Sequence, residues 1–212
     1  MKIAHISDVH WRSLTRHDEY RRAFEKMFAE LRVVKPDIIA LGGDIVHSKT
    51  QGISPEVIDQ LTWWFNGLAD IAPVHMILGN HDGNLMNSHR QDAISPIISA
   101  IDNPRIHLYK KSGVYQFAPG FNWCAFSIFD EDGWKAVKPI KGDINIALFH
   151  GSVLGSMTDQ GWMLESEMGL EFFQDYDFVL LGDIHKRQFL AYRDNDFMKP
   201  WIGYPGSTIM QS

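Results

Sequence analysis

This 212-residue chain has a single cysteine, Cys124, and therefore no pair that could form an internal disulfide. It contains no run of about 18 apolar residues, the minimum for a membrane-spanning helix. Its first residues form a short strand-like pattern, unlike a secretory leader. No internal repeat or low-complexity stretch interrupts the sequence. These absences predict a reducing, cytoplasmic compartment and no role in a membrane.

Basic residues are outnumbered by acidic ones, 20 against 26, which gives a formal net charge of −6. This deficit argues against generic electrostatic binding of nucleic acid, although metal cations would offset any carboxylates that bind them. Net charge therefore says little about the substrate. Hydrophobic residues make up 45% of the chain, enough for a substantial core, so we predict one domain over residues 1–212.

Short apolar runs rich in β-branched and aromatic residues alternate with helical patterns. The predicted strands are residues 2–7, 37–43, 73–79, 122–129, 144–149 and 178–182. One amphipathic helix is predicted before Pro36, a second from Ser54 and Pro55 to about Ile71, and a third over residues 88–101. The order βαβαβα followed by a β-rich half predicts an α/β fold in which two packed sheets are flanked by helices.

Polar side chains that can bind metals follow the predicted strands, at the ends where open α/β sheets assemble their ligand sites. They are Asp8, His10, Asp44, Asn80, His81, His150, Asp183 and His185. The one-residue separation within each Asp-x-His pair predicts that both side chains lie on the same side of an extended backbone. Glycines before three of these ligand segments allow the main chain to approach an ion closely.

The ligand types predict hard or borderline divalent metals. Carboxylate, imidazole and amide groups without thiolates favour Mn²⁺, with Mg²⁺ or Fe²⁺ as competitors, over structural Zn²⁺. Two ions about 4 Å apart could share a carboxylate and activate a water for in-line displacement at phosphorus. The sequence therefore predicts two divalent metal ions and hydrolysis of a phosphate ester.

Five segments, SDVH, GGDIVH, GNHD, LFHG and LGDIHKRQ, resemble the signature blocks of the calcineurin-like metallophosphoesterases. Within that superfamily the chain is most similar to the SbcD-type DNA repair nucleases and bacteriophage recombination endonuclease subunits. That narrower resemblance depends on His47, three residues after Asp44, and on the segments HKRQ and YPGS. The resemblance covers essentially the whole chain and implies a four-layer αββα sandwich of two mixed sheets flanked by helices.

The same resemblance implies roles for the individual residues. One metal would be bound by Asp8, His10 and His185. The other would be bound by Asn80, His150 and Asp183, and Asp44 would bridge the two ions.

For catalysis, the resemblance implies that His81 contacts the scissile phosphate or protonates the leaving oxygen. Asp82 would orient His81, and His47 would position the phosphate or the substrate strand. The attacking group would be a metal-activated water, so no nucleophilic side chain is needed. A hydrogen bond within a local turn explains His47 or Asp82 about as well as catalysis does.

Asp183 departs from the pattern of the superfamily, whose last block is usually Gly-His-x-His. A carboxylate can still bind Mn²⁺ and adds negative charge, so we predict a site shifted toward harder ions with activity retained. The alternative is a weakened second metal.

The resemblance implies a Mn²⁺-dependent nuclease of DNA repair or recombination, acting as an exonuclease on duplex ends and as an endonuclease on single strands. An SbcC-like ATPase subunit would be its partner. The chain ends just after Tyr204–Ser207, where such nucleases usually continue into DNA-capping and ATPase-binding segments, so we expect weak duplex binding and weak ATPase association. Trp63 lies off the apolar stripe of its predicted helix, which suggests a homodimer contact.

Two alternatives use the same fold. The first is a phosphodiesterase or phosphatase that acts on nucleotides or other small phosphoesters at the same metal centre. The second, a non-catalytic scaffold, is disfavoured because every water-activating ligand is chemically competent.

Overall fold

The structure is a computed structural model that describes residues 1–47, 53–87, 90–191 and 201–209. It has two β-sheets packed face to face. None of the helices in these ranges combines the length and the apolar composition that a membrane crossing requires.

The first sheet is entirely parallel, with the strand order β1-β2-β3-β4. Its strands are β1 (Ile3–Ile6), β2 (Ile38–Leu41), β3 (Val74–Met76) and β4 (Ile106–Leu108). The crossover connections contain α1 (His17–Val34), α2 (Pro55–Ile71) and α3 (Ser95–Ile101). Crossovers of this kind place the helices against one face of the sheet and point the carboxyl ends of all four strands to one edge.

Helix α1 forms because its large apolar side chains recur at helical spacing; the buried members are Tyr20, Phe24, Phe28 and Leu31. Helix α2 begins as predicted, with Pro55 in its first turn and the Ser54 hydroxyl accepting a hydrogen bond from the Val57 N–H.

The third helix begins at Ser95, not near residue 88 as predicted. The Asp92 carboxylate accepts hydrogen bonds from the backbone N–H groups of Ile94 and Ser95, and Pro96 follows in the first turn. This capping arrangement sets the start of the helix locally. Residues 88–89 lie outside the described residues.

The second sheet is mixed, with the strand order β5-β6-β7-β8-β10-β9. Its strands are β5 (Gly113–Ala118), β6 (Phe121–Phe126), β7 (Ile144–His150), β8 (Phe178–Gly182), β9 (Gln188–Ala191) and β10 (Trp201–Tyr204). The pairs β5/β6 and β9/β10 at its edges are antiparallel, and the inner pairs are parallel. Two short 3₁₀ helices, Glu131–Ala136 and Leu170–Phe173, contribute to its outer layer.

The predicted architecture of two sheets flanked by helices is confirmed. Two mixed sheets were expected; the second sheet is mixed, but the first is purely parallel. Apolar residues between the sheets form a separate core cluster that includes Ala40, Trp123 and Leu148. A larger cluster lies between the first sheet and its helices. This packing brings the carboxyl ends of the parallel strands of both sheets together.

Trp63 packs within the chain. Its ring centroid lies 5.2 Å from that of Phe28, and the Arg21 guanidinium carbon lies 3.9 Å from the indole centroid. Trp63 therefore packs partly against α1 and stays half-buried, and the homodimer contact stays a prediction.

Candidate metal centre

Seven predicted ligands lie at the edge where the parallel strands of the two sheets end. Asp8 and His10 follow β1, and Asp44 follows β2. Asn80 follows β3, His150 is the last residue of β7, and Asp183 and His185 follow β8. The site is therefore built by both sheets, with ligands contributed by five strand ends.

The backbone turns that aim these ligands are left-handed. The φ angles are 55° at Asp8, 53° at His10, 53° at Asp44 and 95° at Asp183. Such values are uncommon outside glycine, although aspartate and histidine tolerate them better than most residues, and they concentrate at functional sites. The prediction that extended backbone aligns each Asp-x-His pair was therefore wrong; tight turns bring the ligands together.

Glycine is required at two positions by close packing. A β-carbon at Gly79 would lie 2.1 Å from the Asp44 Oδ1 atom, and one at Gly182 would lie 2.2 Å from the Gly42 carbonyl oxygen. Neither contact is sterically tolerable. These glycines therefore allow the ligand segments of neighbouring strands to pack directly against each other.

The first group of ligands is Asp8, His10 and His185, whose ligand atoms all lie within 4.8 Å of one another. The Nε2 atoms of His10 and His185 are 3.0 Å apart, and His10 Nε2 is 4.0 Å from Asp8 Oδ1. The Nδ1 atom of His10 is buried without a hydrogen-bond partner in the described chain. One carboxylate and two imidazoles fit a divalent cation.

The second group surrounds the Nε2 atom of His150. It lies 3.3 Å from Asn80 Oδ1, 3.3 Å from Asp44 Oδ1 and 3.9 Å from Asp183 Oδ1. The Nδ1 atom of His150 is 2.7 Å from the Gly42 carbonyl oxygen, which can only accept a hydrogen bond. Nδ1 therefore carries the proton, and Nε2 is the nitrogen available to a metal.

Asp44 lies between the two groups. Its Oδ1 atom faces His150, and its Oδ2 atom lies 3.5 Å from His10 Nε2. The backbone N–H of His81 donates to Oδ1 over 2.8 Å, which holds the carboxylate in this orientation. One oxygen directed to each group is the arrangement that a bridging ligand needs.

The centre concentrates buried charge. Burial raises the pKa of Asp8 to about 7, although the positive charge of His150 acts to lower it. Burial by itself would lower the pKa of His150, but the adjacent Asp44 carboxylate outweighs it and raises that pKa to about 10. Burial lowers the pKa of His10 to about 3. Protons thus compensate the buried carboxylates, a role that divalent cations can take over on binding.

His81 lies beside the first group, with its ring centroid 4.8 Å from that of His10. Its Nδ1 atom hydrogen-bonds to the His47 carbonyl oxygen, so Nδ1 carries the proton and Nε2 is left for substrate. The His47 backbone therefore orients His81. The centroid of the His47 ring lies 6.1 Å from that of His81. Burial, and to a smaller extent the positive charge of Arg12, lower the pKa of His47.

Asp82 does not orient the His81 ring, and that prediction was wrong. Its fully buried carboxylate accepts backbone hydrogen bonds from Ile45 at 2.8 Å, Val46 at 3.1 Å and Gly79 at 2.8 Å. These bonds join the turn after β2 to the turn after β3. Asp82 is consequently a positioning residue that fixes the Asp44 segment against the Asn80 segment.

Two supporting residues were missed by the sequence reasoning. The Tyr20 hydroxyl on α1 donates to the His10 carbonyl, and the Ser207 backbone N–H donates to the His185 carbonyl over 2.9 Å. Both brace the left-handed turns that carry the ligands. Tyr20 was recognised only as an apolar helix position, and no local pattern reveals that its hydroxyl reaches this turn.

Comparison with known proteins identifies related sequences and folds. The family model for calcineurin-like phosphoesterases matches residues 1–187. The chain is 40% identical, over 99% of its length, to the uncharacterized protein R555 of Acanthamoeba polyphaga mimivirus. It is 23% identical, over 98% of its length, to the DNA double-strand break repair protein Mre11 of Methanopyrus kandleri. The chain spans 16% and 48% of the length of these two curated relatives.

Two solved structures share the fold. A dimetal phosphatase from Danio rerio superposes with a TM-score of 0.62 at 13% identity, covering 98% of this chain and 88% of the other. The TT1561 protein of Thermus thermophilus superposes with a TM-score of 0.61 at 12% identity, covering 97% and 89%. At such identities the likeness establishes the architecture alone.

Proposed function

This chain belongs to the calcineurin-like phosphoesterase family, a family of hydrolytic enzymes, and we propose that it is a nuclease that hydrolyses phosphodiester bonds of DNA. Two divalent metal ions would serve the reaction. Mn²⁺ is the ion favoured by the oxygen and imidazole ligands.

One observation carries the proposal of a two-metal hydrolase. The carboxylate of Asp44 directs one oxygen to His10 and the other to His150, each of which belongs to a separate group of ligands. A shared carboxylate between two groups is what a pair of adjacent ions requires.

The chain's own residues would perform the remaining work. Asp8, His10 and His185 would hold one ion, Asn80, His150 and Asp183 the other, and Asp44 both. Bound there, the ions would supply an activated water and neutralise charge on the phosphoryl oxygens.

His81 is suited to act on the leaving group. In the imidazolium form, Nδ1 donates to the His47 carbonyl, and Nε2 can donate its proton to the oxygen released when the P–O bond breaks. One ester then becomes a phosphomonoester and an alcohol, and water supplies the hydroxyl on phosphorus. The His47 ring, 5.7 Å from that of His10, is near enough to contact the phosphate or the strand.

Two observations support DNA as the substrate. His47 lies three residues after Asp44, the spacing on which the resemblance to DNA repair nucleases depends, and the chain is similar to a protein named for DNA double-strand break repair. A second candidate is a phosphodiesterase or phosphatase for small phosphoesters. It is favoured by the formal net charge of −6, which provides little general attraction for a polyanion.

A side-by-side assay separates the two candidates. Linear and single-stranded DNA and bis(4-nitrophenyl) phosphate would be incubated with the protein in Mn²⁺ or Mg²⁺. We expect cleavage of DNA at concentrations where the small ester reacts slowly. Efficient turnover of small esters with DNA left intact would overturn the nuclease proposal and support the second candidate.

His81→Asn tests the catalytic assignment in the same assay. Loss of a general acid typically lowers the rate by about 10² to 10⁴, so DNA cleavage should fall in that range while calorimetry still detects metal binding. The exposed His107 on β4 provides the matched control, His107→Asn, which should retain full activity. Retained activity in His81→Asn would contradict the assignment.

We further propose an SbcC-like ATPase as a partner and a homodimer as the state in solution. A dimer contact in this region would use the half-buried Trp63 together with the exposed Val33 and Ile58. Light scattering that gives a monomer at high concentration would contradict the dimer.

A further inference from the structure

The second sheet carries a cavity lined by segments that continue from the metal-ligand turns. Its volume is about 260 Å³, and its lining includes His5, Arg187, Phe189, Trp201 and Pro205. His5 belongs to β1, the edge strand of the first sheet, whereas Phe189 and Trp201 belong to the last two strands of the second sheet. The cavity thus lies where an edge of one sheet meets an edge of the other.

An aromatic platform forms one wall. Phe189 is 44% exposed, and its ring centroid lies 4.8 Å from that of Trp201. A β-carbon at Gly203 would lie 2.7 Å from the Phe189 ring, so the ring lies directly on the backbone of β10. The Arg187 guanidinium carbon is 6.0 Å from the Phe189 centroid, within reach of a cation–π contact.

His5 contributes to the wall from the first sheet. Its Nε2 atom is shielded from solvent and from the cavity, and it has no hydrogen-bond partner in the described residues. Burial lowers the pKa of His5 to about 3, so its imidazole is neutral at pH 7. The wall on this side therefore carries no charge.

The segments that line the cavity also support the metal centre. Arg187 comes two residues after His185, and Pro205 comes two residues before Ser207, whose N–H donates to the His185 carbonyl over 2.9 Å. At about 3.4 Å per residue, Phe189 lies at most about 14 Å along the chain from His185. A strand held at the metals can therefore reach the platform.

We propose that this cavity binds an unpaired nucleobase of the DNA strand whose phosphate lies at the metal centre. This inference rests on the proposed nuclease function. The base would stack on Phe189 and Trp201, and Arg187 would contact the adjoining phosphate. An aromatic face beside an exposed cation matches a nucleotide better than an aliphatic side chain, which gains nothing from the cation.

The test measures binding to a fluorescein-labelled oligo(dT) strand of about 15 nucleotides by anisotropy in Mn²⁺, with phosphorothioate linkages so that the strand stays intact. Phe189→Leu retains apolar bulk and removes the aromatic face. We expect its dissociation constant to rise about fivefold or more, the effect of losing one stacked base. Tyr115→Leu, on the edge strand β5 at the opposite end of the same sheet, is the matched control and should bind normally.

A strand with abasic sites in place of thymidine makes the test specific for the base. The unmodified protein should prefer oligo(dT), and Phe189→Leu should lose that preference. If the abasic strand binds as well as oligo(dT), or if Phe189→Leu and Tyr115→Leu behave alike, the inference is wrong. Equal affinity for free dTMP and for the strand would also overturn it, because the site would then recognise a mononucleotide.

The controls separate this inference from the proposed function. All variants should hydrolyse bis(4-nitrophenyl) phosphate equally, which reports an intact metal centre. Cleavage of DNA without any dependence on Phe189 would reject only the nucleobase site. Failure of the unmodified protein to bind or cleave DNA would reject both.

Discussion

The role of Asp82 yields a sharp prediction, because the structure replaces a predicted catalytic role with a positioning role. In Asp82→Asn, one carboxylate oxygen becomes an NH₂ group of nearly the same shape. The remaining oxygen can keep the two bonds from Ile45 and Val46, which leaves the new NH₂ group facing the Gly79 N–H. Two buried donors then oppose each other.

The size of the effect follows from these contacts. Losing one hydrogen bond to a charged acceptor costs about 1.5–3 kcal/mol, and leaving a buried donor unpaired costs about 1–3 kcal/mol. Part of this is offset because the variant no longer buries a charge; burial raises the pKa of Asp82 to about 7. We therefore expect the free energy of unfolding to fall by about 2–3 kcal/mol. In a protein of this size, that corresponds to about 4–12 °C in melting temperature.

Urea denaturation and phosphodiesterase assays on the same preparations test this reasoning. Because Asp82 joins the Asp44 and Asn80 segments, activity should fall about tenfold to a hundredfold through misplaced ligands. Asp92→Asn is the matched control: Asp92 is also buried and accepts backbone hydrogen bonds, but it caps α3. That variant should lose stability and retain activity while folded.

Two results would refute the positioning role. Unchanged stability in Asp82→Asn with activity reduced more than about a thousandfold would indicate direct participation in catalysis, as the sequence had suggested. Unchanged stability with full activity would mean that the three backbone bonds contribute nothing to the centre.

The other predictions concern the metal, packing and pH. Asp183→His should shift metal preference away from harder ions, as measured by calorimetric titration with Mn²⁺ and Mg²⁺; identical stoichiometry and selectivity would show that the carboxylate has no such effect. Gly79→Ala should lower activity about a hundredfold by displacing Asp44, whereas Gly113→Ala, whose added carbon makes ordinary contact, should not; equal activities would contradict the packing argument. Burial and the neighbouring His107 lower the pKa of His75 to about 4, below the ordinary value of 6.5 that applies in the unfolded chain. As the pH falls below 6.5, the unfolded chain therefore binds a proton at His75 before the folded protein does. The free energy of unfolding should accordingly fall by roughly 3 kcal/mol between pH 6.5 and pH 4. His75→Gln should show a shallower fall in urea titrations across that range, and an unchanged slope would be evidence against the assignment.

The sequence by itself determined the architecture and the identities of the candidate ligands. Strands such as residues 144–149 and 178–182 are short apolar runs, and helix α2 has its cap and proline at the start; these signals are local and need no partner to be read. Asp8, Asp44 and Asn80 follow strand ends, and the parallel order of the strands brings them to one edge. The start of the third helix was predicted too early, near residue 88. The hydrogen bonds from the Ile94 and Ser95 N–H groups to the Asp92 carboxylate set the start of the helix at Ser95.

Only the tertiary structure decided how these residues act. Asp44 presents one oxygen to each ligand group because the two sheets meet there, and left-handed turns, not strand alternation, aim the ligands. Asp82 positions segments that are far apart in sequence, and His5 and Trp201, from different sheets, line one cavity. Contacts between residues 35 to nearly 200 positions apart depend on how the layers pack, and a one-dimensional pattern of polarity and spacing carries no record of that packing.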